Sequence, residues 1–151
     1  MSKTNLKLVR DNEISICGEQ PPLIKPGIYS AVYIKRDLRT LHGKTTKIVA
    51  KFKIITPGSY FETILYRYWN AKSINKHQGT FQVGWKSAFV REYVTLFGEI
   101  KKLSHISMAL FKGKVFKVEV STVKHGSYNR KPIPEALQYS VISEVTSLET
   151  G

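Results

Sequence analysis

The run TKIVAKFKIIT, residues 46–56, limits the fold more than any other stretch of this chain. Ile48, Ala50, Phe52 and Ile54 fall on one side of a two-residue period, and Lys47, Val49, Lys51 and Lys53 fall on the other. Side chains alternate across a strand but wind around a helix, so this pattern is a half-buried strand with a cationic outer face. Pro57-Gly58 ends it with a turn. A sheet that is apolar on one side and basic on the other must fold over a core and leave its cations wet.

The neighbouring segments extend the same grammar. Pro26-Gly27 opens IYSAVYIKR, a β-branched and aromatic strand, and RDLRTLHGKTTK reads as a polar loop after it. A third strand, YFETILYRYWN, places Ile64, Tyr66 and Tyr68 on one side and Leu65, Arg67 and Trp69 on the other. Residues 70–86 are polar and carry Gly79 and Gly84. Ser87 then caps SAFVREYVTLFGEIKKL, where Phe89, Tyr93, Leu96 or Phe97, and Ile100 recur at helical steps; Gly98 weakens the helix and can end it early. The Lys112-Gly113-Lys114 turn leads into a strand with Phe116, Val118 and Val120 inward. KHGSYNRKPIPEALQ is a long polar loop, and YSVISEVTSL closes as the last strand.

This predicts a mainly β chain: five strands with one helix between the third and fourth. That is the order of the OB-fold, a partly open Greek-key barrel that binds oligonucleotides on strands 2 and 3 with the 1–2 and 4–5 loops. Those loops fall at residues 37–46 and 124–138, which hold Arg39, His42, Lys44, His125, Tyr128, Arg130 and Lys131. Residues 1–22 lack periodicity and read as an N-terminal arm, leaving 23–151 as the OB-fold domain.

Charge is distributed unevenly. The chain of 151 residues has a formal net charge of +13. Between Leu38 and Arg91 it carries ten Lys or Arg and one acid, Glu62, so the excess sits beside the rings of the third strand. A concentrated positive field attracts a polyanion, a nucleic acid or an anionic membrane. No apolar run approaches the ~20 residues of a membrane span. No secretory h-region is seen, and the lone Cys17 fits a reducing compartment, so a cytoplasmic location without membrane contact is expected.

PPLIKPGIYSAVYIK, KFKIITPGSYFETILYRYWNAK, FKGKVFKVEV and LQYSVISEV, across roughly residues 21–148, resemble single-stranded-DNA-binding OB-fold proteins of bacteriophages and mobile genetic elements. The shared features are a Pro-x-Gly-x-Tyr-x-Ala strand entry, a Phe-x-Ile strand and a late Gly-Lys-x-Phe-x-Val strand. The resemblance implies a protein that coats single-stranded DNA in replication, recombination or transfer of a mobile element.

Single-strand binders combine a cationic groove with aromatic shelves, because phosphates repeat and every base has a π face. The expected binding set is Lys47, Lys51, Lys53, Tyr66, Arg67, Tyr68, Trp69, Lys72, Trp85, Lys86, Tyr128, Arg130 and Lys131. The charge of Arg67 tips the third strand toward Arg67 and Trp69 outward, while Leu65 argues for the other register, so both tyrosines stay in the set. Trp85 either packs at the helix start or stacks on a base, and Tyr128 lies in a loop without apolar neighbours. Phe52, Phe89, Phe97 and Phe116 are assigned to the core.

Catalysis has little support. Two-metal chemistry needs several carboxylates held together, and the chain has two aspartates, Asp11 and Asp37, with its glutamates dispersed. Phosphate-loop, nucleophile-elbow and zinc-protease motifs are missing from the sequence. No catalytic residue, metal or cofactor is expected. Two other readings stay open: an OB-fold that binds RNA, and a protein-interaction module whose basic strip docks an acidic partner. Oligomeric state is open as well, since edge strands can pair into dimers or filaments.

Overall fold

The computed structural model describes residues 21–41, 45–100, 103, 106, 108–126 and 130–150. The basic strand and its predecessor form a long antiparallel hairpin, β1 (Gly27–Leu41) with β2 (Thr45–Ile54). β3 (Ile64–Asn70) pairs antiparallel with the far side of β2. A short hairpin of β4 (Ser73–Asn75) and β5 (Thr80–Gln82) leads to helix α1 (Ala88–Phe97). A 3-10 turn at Met108–Phe111 precedes β6 (Val115–Val123), and β7 (Tyr139–Thr150) ends the fold. The five long strands close into a barrel in the order β1–β2–β3–β7–β6. All its seams are antiparallel except β3–β7, which is parallel and has one bridge, Arg67 to Ile142.

The chain is thus mainly β with one α-helix among the described residues, as the periodicities predict. β2 turns Ile48, Ala50, Phe52 and Ile54 fully inward. Ser87 caps α1 by accepting from the Val90 amide, and Gly98 ends it at φ 92°, a backbone region that favours glycine. Phe89 and Tyr93 project from one face of α1 into an aromatic cluster. Phe111 is its hub: its ring lies 5.1 Å from Phe97, 5.2 Å from Phe116 and 5.5 Å from Tyr33. The four phenylalanines assigned to the core are all in or against it.

Three expectations need correction. The polar loop drawn at residues 37–46 is mostly strand: β1 runs on to Leu41, and only 42–44, with His42 and Lys44, lie outside the described residues. The cause is a bulge. Tyr33 opposes Phe52 and Lys35 opposes Lys51, so Ile34 is an extra residue that reverses the alternation. Beyond it Leu38 is buried, and Lys35, Asp37 and Arg39 share the outer side with Lys51, Val49 and Lys47. The second correction is the β4–β5 hairpin inside the polar segment 70–86, which buries Phe81 and leads into the buried Val83.

The third concerns β3. Leu65, Arg67 and Trp69 face inward, and Ile64, Tyr66 and Tyr68 face outward, the reverse of the register that the charge of Arg67 suggested. Trp69 is 1% exposed and meets Phe89 edge-to-face at 5.1 Å. Arg67 is tolerated inside because Glu92 of α1 is there to meet it. Its Nε donates to Glu92 Oε1 at 3.2 Å, and its Nη2 donates to Oε2. Glu92 Oε1 also accepts from the Val145 amide at 3.0 Å, and Arg67 Nη1 donates to the Tyr68 carbonyl at 2.9 Å. The guanidinium carbon lies 5.2 Å from the Trp69 ring.

Glu92→Leu is expected to cost about 3–5 kcal/mol of stability by leaving Arg67 uncompensated, read as a lower urea midpoint. Alkaline titration gives a second check. Burial pushes the Tyr33 and Tyr93 hydroxyls above the ordinary value of 10.0. The folded state therefore keeps these protons when the unfolded chain begins to lose them. Their contribution is complete below pH 10.0 and declines as pH rises through the raised values, so the thermal midpoint should fall there.

Candidate functional site

The outer side of β1–β2–β3 is a grid set by the registers. Its cross-strand rows are Arg39–Lys47–Asn70, Asp37–Val49–Tyr68, Lys35–Lys51–Tyr66 and Val32–Lys53–Ile64. Outward positions recur about every 6.8 Å along a strand, and neighbouring strands lie about 4.8 Å apart. Five cations and one acid, Asp37, share this surface with two tyrosines. The Tyr66 and Tyr68 rings tilt toward each other with centroids 6.3 Å apart.

Like charges stand directly opposite each other in two rows, Lys35 with Lys51 and Arg39 with Lys47. Such pairs weaken a sheet. Local interactions offset only part of this: Arg39 Nη2 meets Asp37 Oδ2 at 2.9 Å, and Lys47 Nζ donates to Asn70 Oδ1 at 2.5 Å. Burial lowers the pKa of Lys47, and the nearby charge of Arg67 lowers it further. An anion bound here would relieve both effects by favouring the ammonium form.

The wall built by β6 and β7 is different in sign. Glu119 is registered against Glu144, and Glu149 lies 3.9 Å from Lys117. Glu149 also accepts from the Ser30 hydroxyl at 2.5 Å. The positive excess of the barrel wall is therefore concentrated on the β1–β2–β3 side.

Of the predicted binding residues, Lys47, Lys51, Lys53, Tyr66 and Tyr68 come together on this grid. Arg67 and Trp69 leave the set, since both point into the interior. Lys72 is exposed just after β3. Trp85 is 63% exposed and Lys86 is exposed, both on the connection into α1. Arg130 and Lys131 are exposed between β6 and β7, where a His125–Pro132 bridge tightens the loop. Tyr128 lies outside the described residues. Lys35 and Arg39 are additions: read without its bulge, β1 sends Lys35 inward, and Arg39 was placed in the loop at 37–46 that proves to be strand.

Among the described residues, no group of three or more His, Cys, Asp or Glu side chains could hold a metal ion. No helix among them is long and apolar enough to cross a membrane. No protein-family model matches the chain, and no curated protein matches it.

Lys51→Ala combined with Lys53→Ala removes two cations from the grid without touching the core. The thermal midpoint should change by less than about 2 °C, since surface changes stay within about 0.5 kcal/mol. Tyr66→Ala combined with Tyr68→Ala should lower affinity for a single-stranded oligonucleotide by about 1–3 kcal/mol for each base stacked. Circular dichroism and fluorescence anisotropy separate the two effects.

Proposed function

We propose that this chain is a non-enzymatic OB-fold protein that binds single-stranded DNA with little sequence preference. The observation that carries this reading is the grid: five cations and two tyrosines on consecutive cross-strand rows, with like charges opposed. Opposed cations are a cost to the free protein that a polyanion removes, and adjacent rings accept bases of any identity. The strand order supports the architecture, with α1 between the third and fourth long strands and the third and fifth meeting in parallel. In an OB-fold the second and third strands form the oligonucleotide surface, and here those strands carry Lys47, Lys51, Lys53, Tyr66 and Tyr68. The resemblance of the strand motifs to phage and mobile-element proteins favours DNA and a role in replication, recombination or transfer.

In the mechanism, phosphates displace counterions along the lysines of β2 while bases unstack from one another and lie on the β3 tyrosines. Duplex DNA satisfies only the first half, since its bases are already stacked and paired.

Anisotropy of a labelled 16-nucleotide oligo-dT tests this. Log affinity should fall with log salt at a slope of about −0.7 for each phosphate contacted, reaching about −3.5 if all five grid cations engage. A mixed-sequence duplex of the same length should bind at least about tenfold more weakly. Absence of binding at low salt, or a preference for duplex, defeats the proposal. Competition with oligo-U measures the preference for DNA over RNA, and a strong RNA preference would indicate contacts to the 2′-hydroxyl.

A further inference from the structure

Past the start of β6 at Val115, β1 has an unpaired edge away from the grid. β6 stops pairing with β1 at Val32, so from Ile34 onward that edge of β1 has no strand beside it among the described residues. An open groove of about 420 Å³ runs there, between the bulge, the β4–β5 turn and the 3-10 turn at Met108–Phe111. Tyr33, Phe81 and Met108 give it an aromatic and apolar lining; Lys35, Arg36 and Lys112 give it three cations, and among the described residues none that line it is acidic.

Arg36 is held flat in this wall. Its guanidinium carbon lies 5.7 Å from the Phe81 ring, and Nη2 donates to the Gly79 carbonyl at 3.1 Å. Its Nη1 is buried and has no acceptor among the described residues, so its local hydrogen bonds do not fully account for its placement. A cation stacked on a ring, an apolar floor and a positive rim form a receptor for a flat heterocycle carrying a phosphate. Lys35 lines the groove and also opposes Lys51 on the grid, so the two surfaces share a side chain.

Resting on the function proposed above, we infer that the groove takes one nucleotide of the bound strand, which leaves the tyrosine grid over Lys35 with its phosphate directed toward Lys112. This adds a base-holding pocket beyond the strand 2–3 surface.

Methionine-methyl NMR provides a local test, because Met108, one of the chain's two methionines, lines the groove, and Met108→Leu assigns its signal. Adding 16-nucleotide oligo-dT to the full chain should move the Met108 methyl signal. K112E should weaken binding about fivefold, whereas K117E, an equal charge change on the β6–β7 wall, should weaken it less than about twofold. Oligonucleotide binding that leaves Met108 unmoved, with equal effects of K112E and K117E, overturns the groove but keeps the grid. Failure of the oligonucleotide to bind at all overturns both. A Met108 shift with thymidine 5′-monophosphate but not with the oligonucleotide overturns the strand path, making the groove a site for free nucleotides.

Discussion

The buried pair of Arg67 and Glu92 determines how the barrel shuts. The β3–β7 seam has one backbone bridge, at Arg67 itself, so the strands there gain little from sheet hydrogen bonding. Glu92 supplies what the seam lacks: one carboxylate ties α1 to β3 through the guanidinium and to β7 through the Val145 amide. Isolated buried charges are costly, and a pair is tolerated only when its remaining donors and acceptors are also met. Here the Tyr68 carbonyl and the Trp69 ring take up part of the guanidinium's remaining capacity. Fixing Arg67 inside fixes the register of β3, and a register fixed by parity leaves Tyr66 and Tyr68 only the outer face. The position of these half-buried outer rings thus depends on an ion pair that is largely buried.

A second constraint acts from β1. Without the extra residue at Ile34, alternation would bury Lys35 and Arg39 and expose Leu38. With it, Leu38 enters the core and the cationic field spreads from one strand to two. The groove beside Arg36 lies just past the bulge, where β6, which begins at Val115, no longer lines β1. One inserted residue therefore sets the width of the basic surface.

Legibility in the sequence followed the regularity of each segment. β2 keeps an uninterrupted register and its inward residues were readable one by one, although Val49 on the outer side is buried as well. The helix was equally clear, because Ser87 and Gly98 mark its ends and its rings recur at helical spacing. β1 was readable only as far as its bulge, since an unmarked extra residue looks like the end of a strand. β7 hides similar irregularities: Ile142 and Val145 are both buried, three residues apart, because the register against β6 slips between them. The register of β3 could not be read from β3. Arg67 carries a charge that argues for water, and the carboxylate that cancels it lies 25 residues later on another element.

The aromatic residues show why composition alone could not divide the core from the site. The phenylalanines carry no hydrogen-bonding group, and the barrel encloses most of them with Trp69 around Phe111, the Trp69 Nε1 finding no acceptor among the described residues. Tyrosines divide: Tyr93 packs in the core and Tyr33 against it, while others lie toward the outside. Tyr29 donates to the Lys25 carbonyl at 2.5 Å near the barrel rim, while Tyr66 and Tyr68 stand among lysines on the outer grid. A phenol keeps its polar tip wet and still offers a flat apolar face, so it can occupy a charged surface without either driving aggregation or collapsing inward. Lysines on both flanks strengthen that arrangement. They repel one another along β1 and β2, which disfavours packing against a like surface, and their charge is of the sign that the single-stranded DNA proposed above would neutralise.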